Sequence, residues 1–176
     1  AVCNLSWGMH TGPHDGTSLF DLSLEDLVNT KNRYSENNNG RILVGANGNS
    51  AQHEMHVHFD LKNDTLETLA MDRSRDNYKK QESVYCDFWA EKSSEVDMKI
   101  SLVDSNGNEL LTSGYFSFHQ DDLINRVYTN TTDTLKFTAS LNKTYPHNGK
   151  SNVLLMAYTP TNKRFFKVSF AGNGEI

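Results

Sequence analysis

At 176 residues, 36% of them hydrophobic and 22% charged, the chain has the size of one domain and enough apolar material for a real core. Its formal net charge of −5 argues against a nucleic-acid partner, which would require a basic face. No stretch approaches the roughly 18 apolar residues that span a bilayer, so no transmembrane segment is expected.

The first 17 residues, rich in Gly, His and Pro, read as irregular. A start at Ala1 in place of methionine fits a processed mature form whose signal peptide has been removed, or an engineered chain. Cys3 lies in this segment and Cys86 lies in an apolar, strand-like run. An exposed thiol near a terminus is a liability, so the two are expected to pair and to tie residues 1–17 to the domain. Closing so long a loop is worth about 4–5 kcal/mol in the chain-entropy model. Such a bridge places the protein in an oxidising compartment, hence secreted and extracellular.

A helix is expected from Leu19 to Lys31. Phe20, Leu24, Leu27 and Val28 follow the 3.6-residue period, with Asp21, Glu25 and Asp26 on the polar side. Residues 34–40, with three consecutive asparagines, form a loop. From Arg41 the period becomes two. Met55, Val57, Phe59 and Leu61 alternate with Glu54, His56, His58 and Asp60, and the pattern returns at Val96–Leu102, Leu135–Leu141 and Phe166–Phe170. Such alternation marks antiparallel strands with one wet face. Ser105-Asn106-Gly107-Asn108 between two apolar runs signals a hairpin. Further strands are expected at 41–46, 66–71, 84–90, 109–118, 124–129 and 152–159. The fold class is therefore mainly β. We expect an antiparallel β-sandwich, or a closed barrel, of about nine or ten short strands with one N-terminal amphipathic helix, forming one domain over 1–176.

Several groupings suggest chemistry. On a strand, His56 and His58 share a face with Glu54 and Asp60, a donor set suited to a divalent metal, although a solvent-facing strand carries the same residues. No G-x-S-x-G, P-loop, H-E-x-x-H or glycine-rich dinucleotide motif occurs, and no cofactor is implied. Trp7, Tyr115, Tyr128, Tyr145 and Tyr158 fall near loops or strand ends, where such side chains stack on sugars or lie at lipid headgroups. Trp89, Phe116, Phe118 and Phe137 are assigned to the core. Arg73, Arg75, Lys79 and Lys80 form a basic cluster in an otherwise acidic chain.

Gly16-Thr17-Ser18-Leu19-Phe20 opens the amphipathic helix, and Arg41-Ile42-Leu43-Val44-Gly45 leads through Asn47-Gly48-Asn49-Ser50 into a long alternating strand. In this order of elements the N-terminal third resembles the actinoporin-type pore-forming cytolysins. The resemblance implies a β-sandwich flanked by helices and recognition of phosphocholine lipid. It also implies a membrane-inserting helix carrying Phe20, Leu24, Leu27 and Val28. The family's tryptophan- and tyrosine-rich lipid site has no counterpart between Leu102 and Asn130. The functional expectation is a secreted, non-enzymatic protein that binds a cell-surface lipid or glycan, as a toxin-like effector. A lectin or adhesin using the loop aromatics is the first alternative. A secreted metal-binding protein or enzyme using the His53–His58 strand is the second.

Overall fold

The computed structural model describes residues 2–6, 11–29, 41–46, 57–67, 83–161 and 163–176. Among them the chain is mainly β, with eleven strands and one helix. It divides into two compact units, 1–57 and 58–176.

In the first unit, β1 (Val2–Leu5) and β2 (Ile42–Gly45) pair in parallel, with Val2 opposite Ile42 and Asn4 opposite Val44. The Ala46 amide continues the ladder onto the Leu5 carbonyl at 3.0 Å. A parallel pair needs a crossover between its strands, and α1 (Leu19–Val28) lies in that connection. Ser18 caps the helix: its hydroxyl accepts from the Asp21 amide at 3.1 Å and donates to the Asp21 carboxylate at 2.6 Å. At the other end Arg41 donates to the Leu27 carbonyl at 2.8 Å. The helix thus forms where the period of 3.6 placed it, but no residue of it is buried. The irregular segment expected over 1–17 contains strand β1 instead.

The second unit is a sandwich. One sheet runs β4 (Ser83–Ala90), β10 (Ser151–Tyr158), β9 (Thr134–Asn142), β8 (Asp122–Thr129). The other runs β3 (Asp60–Glu67), β11 (Phe165–Glu175), β5 (Glu95–Val103), β6 (Glu109–Thr112), with β7 (Phe116–Ser117) also on β5. Every pairing is antiparallel. Period two decides what is inside. Val96, Met98, Ile100 and Leu102 of β5 and Phe166, Val168 and Phe170 of β11 meet Leu135, Phe137, Ala139 and Leu141 of β9 and Val153, Leu155 and Ala157 of β10. Across this core the Phe88 and Phe170 rings meet edge to face at 5.1 Å, and Phe116 stacks on Phe137 at 6.1 Å.

The hairpin at 105–108 forms as expected. The Asp104 carboxylate accepts from the amides of Asn106 and Asn108 at 2.8 and 2.9 Å, and Gly107 takes φ 84°. Two expected strands differ. The run 109–118 breaks at Ser113–Tyr115, where Gly114 has φ 71°, and becomes β6 and β7. The expected gap after Leu61 is absent: β3 continues to Glu67 through a bulge at Asn63, φ 55°, where the register with β11 shifts between Gly172 and Asn173. At Gly172, φ 135°, a Cβ would run into the Glu95 carbonyl oxygen, so the close approach of β11 to β5 requires glycine there.

The expected disulfide does not form. Cys3 is an exposed thiol on β1, whereas Cys86 also remains a thiol and packs with Val84 and Phe88 against the core of the sandwich. The alternation that put Cys86 in an apolar strand also turns its side chain inward. Burial, with a contribution from the Asp87 charge, pushes that thiol up to about 11.

Candidate functional site

At one end of the sandwich the chain leaves β7, crosses between the sheets and enters β8, and His119 stands at that crossing. The Phe118 amide donates to the Val96 carbonyl at 2.9 Å and the His119 amide donates to the Ser117 hydroxyl at 3.3 Å, which fixes the backbone on both sides of the turn. His119 Nδ1 lies 2.6 Å from the buried Ser151 hydroxyl, which itself donates to the Lys143 carbonyl at 2.8 Å. A hydroxyl has one proton, and here it is spent on the carbonyl. Nδ1 therefore carries its own proton and donates to Ser151. The pair is polarised in the opposite sense to a serine activated by a histidine base. His119 acts as a clasp between the crossing and the first residue of β10.

The other ring nitrogen, Nε2, is buried with no hydrogen-bond partner among the described residues. Burial holds the imidazole below its usual range, the Lys143 charge adds to this, and Asp97 and Glu95 oppose it. Lys143 is in turn anchored by its amide, which donates to Asp121 at 2.8 Å.

The adjoining β9–β10 loop folds back on itself. The Tyr145 amide donates to the Lys150 carbonyl at 2.7 Å, and the Gly149 amide donates to the Tyr145 carbonyl at 2.9 Å. This lays Tyr145 edge-on against Trp89 at 5.0 Å, with His147 against Tyr145 at 5.6 Å. Trp89 is not a core residue, contrary to expectation. Val84, Cys86, Phe88 and Ala90 take the inner positions of β4, so Tyr85, Asp87 and Trp89 face outward. In the row beside Trp89, Asn152 donates to Asp87 at 2.5 Å and to the Phe88 carbonyl at 3.2 Å, and accepts from Asn142 at 3.3 Å.

Further along the same outer face lie exposed apolar side chains. Met156 sits opposite Tyr85, and Leu154 and Leu123 both sit opposite Ser140. Val127 is also exposed on β8. The sandwich thus presents a rigid sheet with an aromatic and amide-rich end and an apolar middle.

The structure does not gather the tyrosines singled out from the sequence. Tyr115 is exposed in the β6–β7 connection, with the Lys99 ammonium 5.5 Å from its ring centre. Tyr128 faces inward, stacked on Phe137 at 6.2 Å with its hydroxyl donating to the Ser113 carbonyl at 3.3 Å. Tyr145 lies on Trp89, and Tyr158 closes the far end of β10. Of the helix residues, Phe20 and Leu27 are exposed while Leu24 and Val28 are half-buried. Trp7, Glu54, His56 and the basic cluster at Arg73, Arg75, Lys79 and Lys80 lie outside the described residues. His58 is exposed, and no group of three His, Cys, Asp or Glu side chains with metal-binding geometry occurs among the described residues. His119, Ser151 and Trp89 were missed. Only the parity of β4 could have signalled Trp89, and nothing local marks the His119–Ser151 contact.

No protein-family model matches the chain, and no curated protein matches it. Among solved structures the fold is similar to that of the Clostridium perfringens CspB protease, with a TM-score of 0.58 and 14% identity over 99% of this chain. The chain spans 37% of the length of that protein.

Proposed function

We propose that this chain belongs to a larger, exported peptidase-like protein, in which the sandwich of residues 58–176 is a non-catalytic binding module. The observation that supports this is the extent of the fold likeness, which takes in 99% of this chain and lies within 37% of a protease. The site chemistry agrees with a binding role. Ser151 donates its hydroxyl hydrogen bond to a backbone carbonyl, and Cys86 is half-buried with its thiol raised to about 11, so neither is an activated nucleophile. The test is hydrolysis of an unfolded protein substrate. The full-length product that carries residues 1–176 is expected to cleave it, and residues 1–176 alone are expected not to. Cleavage by residues 1–176 alone, or none by the full-length product, would overturn the reading.

A second reading, attachment to a cell-surface lipid or glycan, draws on the exposed Tyr85, Leu123, Val127, Leu154 and Met156 on one sheet face. Co-sedimentation with phosphocholine vesicles and competition by free sugars separate its two forms. Absence of binding in both assays would remove it.

A further inference from the structure

We infer that His119 is a proton-operated latch: a proton taken up at Nε2 releases the β9–β10 loop from the β7–β8 crossing. Nδ1 already donates to Ser151 at 2.6 Å, and the Ser151 hydroxyl passes the link on to the Lys143 carbonyl at 2.8 Å. One ring therefore ties together the crossing, the first residue of β10 and the start of the loop. Nε2 is buried and meets no acceptor among the described residues. In the neutral ring Nε2 carries no proton, and such a site tolerates it. In the protonated ring Nε2 is a charged donor with nothing to receive it, which a buried site strongly disfavours. The ring relieves this by swinging out to water, and Ser151 then loses its donor.

The charges around the ring set the direction of the swing. Glu95 and Asp97, at the start of β5, attract the imidazolium, and Lys143, in the loop, repels it. Asp121, in the turn that follows His119, accepts from the Lys143 amide at 2.8 Å. Protonation thus drives the ring towards β5 and away from the loop. Burial holds the ring below its ordinary 6.5, so the latch is closed above pH 6.5 and opens as pH falls towards the folded value. Opening stays local. From Asn152 to Tyr158, β10 is laddered to β4 on one side and β9 on the other. The loop rests on lighter contacts, the Tyr145 ring against Trp89 and the Lys150–Glu91 ion pair at 2.8 Å. The device therefore loosens the aromatic end of the sheet in mildly acidic surroundings.

Hydrogen exchange read amide by amide in the 176-residue chain tests the latch, from about pH 8 to about pH 5 and corrected for intrinsic rates. The amides of His119, Lys143, Tyr145 and Gly149 should lose at least about 10-fold in protection while β5, β9 and β11 keep theirs. His119→Asn offers Ser151 a donor that does not titrate, and should abolish the loss. Lys143→Met should move its midpoint to higher pH, and Asp97→Asn to lower pH. His147→Gln, which alters the loop's own histidine, should leave it unchanged. Constant protection, or a loss spread evenly over the sandwich, would overturn the inference. So would a loss that persists in His119→Asn or vanishes in His147→Gln. Should His119→Asn open the loop at every pH, the opposite shifts in Lys143→Met and Asp97→Asn still decide, and their absence would overturn it.

Discussion

In residues 58–176, alternation of period two carries one apolar side chain in every two residues into a shared core. The fully buried set includes Phe118, Phe166, Phe170, Met98 and Ile100. In the described part of residues 1–57 the apolar side chains of the helix and the strand pair stay at least partly exposed: no helix residue is buried, and Val2, Ile42 and Val44 are exposed. The difference is one of closure. Two antiparallel sheets supply each other's cover, whereas the parallel pair and its crossover helix face no second sheet among the described residues of their unit. Apolar content alone therefore says little about stability. What counts is whether the partner surface lies within the same unit.

That contrast can be broken or sharpened by experiment. The sharpest separation should come from the two thiols. With unfolded chain as reference, Cys3 should react with a thiol reagent at neutral pH at once, and Cys86 at least about 100-fold more slowly, released by denaturant. Equal rates would contradict the inward placement of Cys86, and no reactive thiol until a reductant is added would restore the bridge. Next, Phe170→Ala should cost about 3–5 kcal/mol in urea unfolding, since that ring is fully buried against Phe59 and Phe88. A loss under about 1 kcal/mol would mean the two sheets do not close on each other as described.

Arg164→Ala should cost about 3 kcal/mol by leaving the buried Asp133 carboxylate without its 2.5 Å ion pair. The hydrogen bond from Arg164 holds Asp133 below its usual 3.8, so this contribution is present above pH 3.8 and is lost as pH falls through the lower folded value. The variant should therefore lose acid sensitivity in that range as well. A smaller effect is expected at His119, whose folded pKa is held below 6.5 by burial and then by Lys143, against Asp97 and Glu95. The neutral ring is the one the fold accepts. Its contribution is complete above pH 6.5 and fades as pH falls from there towards the folded value. Thermal melts should show that loss in the native chain and less of it in His119→Gln. Identical pH profiles would remove the clasp. The smallest effect belongs to the open unit: Val44→Ala should change the stability of the isolated chain by less than about 0.5 kcal/mol. A loss comparable to that of Phe170→Ala would show that the parallel pair is already enclosed.

The elements set by local rules were legible. The capped helix near Leu19, the Asn-Gly hairpin at 105–108 and the inward residues of β5, β9 and β11 each follow from a period or a turn preference that neighbouring residues carry. Where one chain segment must choose between partners, the sequence was silent or misleading. Cys86 read as one half of a bridge because an exposed Cys3 thiol near the terminus is a liability, whereas the apolar setting of Cys86 turns it inward against the core. Trp89 read as core because it is large, while the pleat of β4 sends it outward onto Tyr145. The four tyrosines looked alike beside their loops, and the strand parity and crossings then sent Tyr128 to the core and left Tyr115 exposed.

By itself, then, the sequence determined the mainly β class, the antiparallel sandwich and most of its core, because alternation is a property of adjacent residues. Only the tertiary structure decided that β1 and β2 pair in parallel across the helix, that His119 clasps Ser151 32 residues away, and that Cys86 packs as a thiol against the sandwich core. Each of these depends on which distant segments come together. No local period encodes that, because the free energy of such a contact exists only once the rest of the fold has placed both partners.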